Sequence, residues 1–455
     1  MSRSGYGQRE TSPVGAARHA VAAHRLCAGK VQILPKCPMD RYAHLAVWYT
    51  PGVAAASSAI VTKPEEVYAL TNRANTVAVV SDGSRVLGLG DIGPEAGLPV
   101  MEGKALLFKY FGGVDAVPLC VDVHDVDGIV ALVKGLAPSF GAVNLEDISA
   151  PKCFRVLDRL REELSIPVWH DDQQGTATVV LAGLLNALEI VGKSLVEVRI
   201  ALVGIGAANM AVYRLLKAEG VDPARIIACD RSGTLHRGRE DIETLRNQLP
   251  EKWRVCHETN PEEVAGGIAG ALAGADVCIA FSTPGPGIIA SEAVSVMAAD
   301  SIVFTCANPV PEIDPAEAKA AGARIVATGR SDFPNQVNNS LAFPGIFRGV
   351  LDVRADKITD RMARAAAAAM ARVAKTRGLD EAAILPLTDD IEVAADIATA
   401  TGMAAQQEGV AKLSCGHDRL RDLALEQILA ARGATSTLTN AGFIPSTAQV
   451  EAAGD

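Results

Sequence analysis

The stretch Val198-Arg199-Ile200-Ala201-Leu202-Val203-Gly204-Ile205-Gly206-Ala207-Ala208-Asn209 decides the fold. An apolar run of strand length meets two glycines one residue apart, and an apolar helical pattern, Met210 to Ala218, follows at once. Strand, glycine turn and helix in that order form a dinucleotide-binding unit, because the glycines let a pyrophosphate approach the backbone at the helix N-terminus. Gly204, Gly206, Ala207 and Ala208 make the turn, and Asn209 stands where the pattern prefers a smaller residue. The next strand, Arg225 to Cys229, ends in Asp230. An acid about 20 residues beyond the turn accepts from a ribose 2′-hydroxyl and favours NAD. Arg231, directly after it, can host a 2′-phosphate instead and keeps NADP open.

Downstream, strands are expected at Asp276 to Ala280, Ser301 to Thr305 and Arg324 to Ala327, ending near Ser282, Asn308 and Gly329. Polar and glycine residues thus gather at strand carboxyl ends, where doubly wound parallel sheets bind ligands. Upstream, runs of β type at Thr76 to Ser81, Arg85 to Leu87, Val117 to Val123, Ala142 to Leu145 and Ile166 to Trp169 alternate with helical patterns at Val126 to Leu136 and Cys153 to Leu164. This alternation predicts a second α/β unit with a parallel sheet. The expected organisation is a disordered N-terminus over residues 1–15, an α/β domain over 16–175 and a dinucleotide domain over 176–411. The latter carries trailing helices at 355–375 and 389–408, and an extension with one more helix, 419–432, occupies 412–455. The loop Gly88-Leu89-Gly90-Asp91-Ile92-Gly93 formally repeats the glycine motif, but Pro94, Gly97 and Pro99 leave no helix to receive a phosphate, so it is read as a structural loop.

A chain of 455 residues exceeds one ordinary core, in keeping with two domains. Its hydrophobic share of 49% with only 4% aromatics suits close-packed helices on parallel strands. A formal charge of -10 excludes a general nucleic-acid or anionic-membrane binder, which needs a basic footprint. Nine scattered cysteines contain no CxxC pair, fitting neither zinc nor a disulfide framework, and point to a reducing cytoplasm. No signal peptide is read at the N-terminus, and the apolar helix Thr176 to Ile190 carries Asn186 and Glu189 and is too short to span a bilayer.

Two acidic pairs, Glu146-Asp147 and Asp171-Asp172, each follow a predicted strand of the first domain. Such oxygen ligands suit a hard cation, Mg²⁺ or Mn²⁺, although a solvated turn with capping acids reads the same for either pair alone. Neighbouring residues on a strand point to opposite faces, so both members reach one ion only where the chain has begun to turn. Lys104 lies in a glycine-flanked apolar setting, where burial lowers a lysine's pKa toward that of a useful base. Tyr49 sits beside the Pro51-Gly52 turn. Taken alone, each of these two also reads as structural, and His170, Cys153 and His417 are read as structural outright.

The order of these motifs resembles the malic enzymes. Tyr49-Thr50-Pro51-Gly52-Val53-Ala54, Arg85 to Asp91, Glu102-Gly103-Lys104, Leu145-Glu146-Asp147, His170 to Ala177, Asn308-Pro309 and Asn338-Asn339 resemble that family's blocks and run in its order over roughly 20–410. The length is similar to the compact bacterial form. The resemblance implies oxidative decarboxylation of (S)-malate to pyruvate and CO₂ with NAD or NADP, dependent on Mg²⁺ or Mn²⁺. It implies Glu146, Asp147 and Asp172 as metal ligands, Lys104 as the base oriented by Asp171, and Tyr49 as the acid that protonates C3 of enolpyruvate. Arg85, Asn308, Asn338 and Asn339 would hold the substrate. Thr176, the Gly204 turn through Asn209, Asp230, Arg231, Ser282 and Asn308 would meet the coenzyme. A cytoplasmic homodimer or dimer of dimers, with no nucleic-acid or membrane partner, completes the expectation. The rivals are an amino-acid dehydrogenase, which needs no metal cage, and a non-catalytic nucleotide sensor, which would have lost one of these groups.

Overall fold

The structure, a computed structural model, describes residues 13–453. A four-stranded parallel sheet has the order β2-β1-β3-β4, with β1 at Thr76–Ser81, β2 at Asp115–Cys120, β3 at Ala142–Leu145 and β4 at Val168–His170. A six-stranded sheet has the order β10-β9-β8-β5-β6-β7. Its parallel members are β5 (Ile200–Val203), β6 (Ile226–Asp230), β8 (Val277–Ala280), β9 (Ile302–Thr305) and β10 (Ile325–Thr328), and β7 (Gly233–Thr234) is a short antiparallel edge. The four residues of β5, β8, β9 and β10 are all buried, as strands covered by helices on both faces must be. The mixed α/β class read from the sequence is therefore the observed one.

One hydrophobic core runs through both sheets, joining Val77, Val80 and Trp169 to Ile200, Leu202 and Phe304. The helix Thr176–Val191 lies at its centre and buries most of its length. Its one interior amide, Asn186, donates to Ala371 O at 3.1 Å and Ile384 O at 2.8 Å, which removes the penalty of burying it. Among the described residues, two stretches are long and apolar enough to cross a membrane, Asp171–Val191 and His44–Thr62. The first is this core helix, 67% buried, whereas the second is broken at Tyr49–Gly52 and has no buried residue.

Three expectations change. The chain after Gly93 does form a helix, Gly93–Gly112: Pro94 falls in the first turn, where no N–H is needed, and burial of Met101, Ala105 and Phe108 holds the helix despite Pro99. Arg85 to Leu87 forms no strand, only the Val86–Gly90 bridge of a tight loop. The strand read at Val117 to Val123, whose apolar run suggests burial, runs instead over Asp115–Cys120 as a half-exposed sheet edge. Of the N-terminal segment expected to be disordered, residues 1–12 lie outside the described residues and 13–15 belong to the helix Pro13–Cys27.

A helix not anticipated, Phe343–Asp352, is almost wholly buried. Gly345 lies so close to the helix Ile391–Gln407 that a Cβ there would stand 2.7 Å from Ala394 O, and Gly349 meets Ala398 in the same way. The C-terminal extension packs as the helix His417–Asn440, burying Leu420, Ala424 and Ile428, and Arg432 stacks 4.7 Å over Tyr110.

Asn209 is fully buried, and its amide donates to Val203 O at 3.1 Å, Gly204 O at 2.7 Å and Ile279 O at 3.1 Å. It thereby ties the glycine turn to the neighbouring strand. Asn209→Ala should remove both N–H donors that hold the turn's carbonyls and cost about 1–3 kcal/mol, read as a lower denaturant midpoint at unchanged slope.

Candidate active site

Strands β3 and β4 pair in register, Leu145 opposite His170, so the two acidic pairs leave the sheet side by side. Asp147 has φ 54°, the turned conformation that both members of the first pair require to face one point. After His170 the chain makes a single π-helical turn, Asp171–Gly175, before the α-helix begins. This turn sends the second pair in different directions. Asp172 accepts from Asp147 N at 2.8 Å, and ligand oxygens of Glu146, Asp147 and Asp172 lie within 4.8 Å of one another. Asp171 is fully buried, accepting from Trp169 Nε1 at 3.0 Å and Lys104 Nζ at 2.6 Å. A Cβ on Gly175 would run into Asp171 Oδ1, so the turn admits only glycine there.

Lys104 comes from the helix Gly93–Gly112. Its ammonium also lies 2.9 Å from Glu146 Oε1 and 4.2 Å above the Phe343 ring. Burial alone would lower its pKa, but Asp171 and Glu146 outweigh it and hold the proton more firmly than in water. The expectation of a lysine drawn toward neutrality is corrected by these two carboxylates. On the acidic side, burial pushes Glu146 and Asp171 up, against the pull of Lys104. Burial and the adjacent Asp172 charge push Asp147 up to about 8.

Four carboxylates therefore face one lysine, and Asp147 Oδ2 is buried without a hydrogen-bond partner. An all-oxygen donor set with excess negative charge and an orphaned acceptor fits a hard divalent cation.

Lys104 and the trio Glu146, Asp147 and Asp172 open into a cavity of about 850 Å³ between the two sheets. On the first unit, Arg85 reaches it beside Lys104 and the acidic trio, and Asn308, Asn338 and Asn339 line it from the second. Thr176, Gly206, Ala207, Ala208, Arg231 and Ser282 continue the wall. Gly204 sits at φ 81° beneath it, where a Cβ would come 2.6 Å from Phe281 O. The loop Val86–Gly90 closes one side, and a Cβ at Gly88 would stand 2.6 Å from Asn308 O.

Three residues depart from their expected settings. The Asn209 side chain is taken up inside the turn, as described. Asp230 is not a free acid: Arg239 donates to it at 3.0 Å, Ser232 N at 2.8 Å, and Lys252 pairs with its other oxygen. Burial raises its pKa, yet Lys252 and Arg239 win and hold it low. Tyr49 is 69% exposed and lies apart from the cavity wall.

Sequence reading missed Trp169, Phe343, Arg239, Lys252 and Glu312. Trp169 left a signal, an indole two residues before a buried acid, whereas Glu312 and Phe343 follow Asn308 and Asn339 by four positions, and Arg239 and Lys252 follow Asp230 by 9 and 22, with no motif to mark them.

The two-sheet cleft, with a glycine turn on one side and an acid cluster on the other, is that of an NAD(P)-linked oxidoreductase. Residues 28–161 match the family described as "Malic enzyme, N-terminal domain", and residues 173–406 match "Malic enzyme, NAD binding domain". The chain belongs to the malic enzyme family. It is 51% identical over 384 residues to an NAD-dependent malic enzyme of Geobacillus stearothermophilus, covering 84% of this chain and 78% of that one. With a bifunctional malic/malolactic enzyme of Bacillus subtilis it shares 46% over 396 residues, 87% of this chain and 94% of that one. The solved malic enzyme of Entamoeba histolytica superposes with a TM-score of 0.91 at 44% identity, over 98% of this chain and 95% of that chain.

The raised carboxyls give a pH test. A carboxyl raised in the folded state contributes stability while protonated, which is lost as pH rises from its unfolded value toward its folded one. Thermal unfolding in chelator should therefore show stability falling from about pH 4 to about 8. Asp147→Asn should flatten that slope, and Mn²⁺ should remove it.

Proposed function

We propose that this chain oxidises and decarboxylates (S)-malate to pyruvate and CO₂ with NAD(P)⁺, in a cleft built from residues 16–175 on one side and 176–411 on the other. The observation that carries this reading is the convergence of Lys104 and the trio Glu146, Asp147 and Asp172 on one cavity with the glycine turn, with Asp171 bonded to Lys104 behind its wall. That trio would hold Mg²⁺ or Mn²⁺, which would polarise the C2 oxygen and stabilise the enolate left by CO₂.

Arg85, free in the cavity wall, clamps a substrate carboxylate. Asn308, Asn338 and Asn339 fix the remaining oxygens. Lys104 accepts the C2 hydroxyl proton as hydride leaves, after passing its own proton to Asp171, to which it donates at 2.6 Å. Thr176, Gly204, Gly206, Ala207 and Ala208 cradle the coenzyme across the strand ends. Asp230 and Arg231 face its ribose, and the cations paired with Asp230 leave either coenzyme admissible.

Tyr49 protonates C3 of enolpyruvate, but from its own chain it is outside the cavity. It lies in the apolar segment His44–Thr62, none of whose residues is buried. The reading is therefore a cytoplasmic homodimer in which this segment covers the partner and delivers the tyrosine.

Three experiments test this. Purified protein given malate, Mn²⁺ and either coenzyme should form reduced coenzyme and pyruvate in equal amounts; oxaloacetate without pyruvate would refute decarboxylation. Lys104→Ala should slow turnover by about 10²-fold or more while coenzyme still binds. Mixing Lys104→Ala with Tyr49→Phe subunits, each inactive alone, should restore activity in hybrid dimers. No restoration would place both residues in one subunit's site.

A further inference from the structure

Glu312 is 0% exposed and lies beneath the coenzyme side of the cavity. Its Oε1 accepts from Ser282 N at 2.7 Å and Ser282 Oγ at 3.1 Å. Its Oε2 accepts from Thr305 Oγ at 2.9 Å and Ala307 N at 3.1 Å. Two of these donors are backbone N–H groups. The Thr305 hydroxyl already accepts from Glu312 N and Ile313 N, so its proton goes to the carboxylate. Glu312 thus acts only as an acceptor, as an ionised carboxylate does, and all four of its donors are neutral.

Those donors stand at the carboxyl ends of β8 and β9. The residues beside them, Phe281, Cys306 and Asn308, line the cavity between the glycine turn and Lys104. Strand order fixes how a dinucleotide lies across this edge. Its adenosine ribose faces β6 at Asp230, its pyrophosphate faces β5 at Gly204, and its nicotinamide extends over β8 and β9 toward the substrate.

We infer that Glu312 is the positioning residue of the nicotinamide pocket, and that its buried negative charge favours the oxidised, positively charged ring over the neutral reduced one. The inference rests on the coenzyme reading above. Ser282 and Ala307 cannot hold their places without it, because two N–H groups and two hydroxyls would lose their common acceptor. A fixed charge in a dry site also acts on the ring without reorganisation at the moment of hydride transfer.

The test compares dissociation constants for NAD⁺, by equilibrium dialysis, and for NADH, by nicotinamide fluorescence, in intact protein. The NADP pair is used instead if the wild type prefers it. Glu312→Gln, nearly isosteric but uncharged, should weaken oxidised coenzyme on the order of tenfold and reduced coenzyme by no more than about twofold. Glu312→Asp keeps the charge and loses reach, so both forms should weaken together at an unchanged ratio. Equal weakening of both forms in Glu312→Gln, or no change in either, would overturn the charge role. A ratio altered by Glu312→Asp would overturn it too, and that comparison serves alone if the glutamine variant does not fold. A wild type that binds neither form would instead remove the coenzyme reading itself.

Discussion

The rest of the structure depends on holding four carboxylates around one ammonium, three of them buried and the fourth, Asp172, part exposed to the cavity. Like charges about 4 Å apart repel by about 4 kcal/mol at an effective dielectric of 20, so the cluster would scatter without constraint. The constraint is the parallel pairing of β3 with β4, which fixes the two acidic pairs at adjacent strand ends. The π turn that follows separates Asp171 from Asp172, and Trp169 and Lys104 pin the former. That excess of negative charge suits the divalent cation proposed above, and burial of Glu146, Asp147 and Asp171 is what raises their carboxyls.

Much of this was legible in the sequence, for identifiable reasons. Parallel strands buried on both faces are continuous runs of Val, Ile, Leu and Ala, so β5, β8, β9 and β10 were each found within two residues. The acids were legible because they stand in pairs directly after such runs. Elsewhere tertiary packing overrode local signals. Pro344, Gly345 and Gly349 disfavour a helix by local propensity, yet the two glycines serve to bring the helices Phe343–Asp352 and Ile391–Gln407 into backbone contact. Pro99 argues against a helix, yet the buried face of Gly93–Gly112 prevails. The lysine's pKa could not be read at all, because its direction turns on partners 42 and 67 residues away in sequence, Glu146 and Asp171.

The dinucleotide unit shows the same division. Its motif marks where a pyrophosphate goes, but not what secures the turn. Asn209 looks like a blemish in the pattern and is in fact the amide that binds three carbonyls around Gly204. Asp230 looks like a free ribose acceptor and is held between Arg239 and Lys252, both contributed by the segment beyond β7. A carboxylate neutralised in this way no longer repels a phosphate as a lone acid would, which is why the sequence motif alone does not decide between the two coenzymes.

The two most apolar helical stretches make the final contrast. Asp171–Val191 and His44–Thr62 pass the same test of length and composition, but the chain buries 67% of the first and none of the second. Burial of the first is what carries the acid cluster into the coenzyme domain. The second leaves Trp48, Tyr49, Val53 and Val61 between 43% and 84% exposed, on one contiguous segment. An exposed apolar patch of that kind is typical of a contact surface, and in the homodimer proposed above it would put Tyr49 to use. On this reading the hydrophobic effect that associates two chains is also what completes the catalytic set, so dimerisation and chemistry are coupled through one segment.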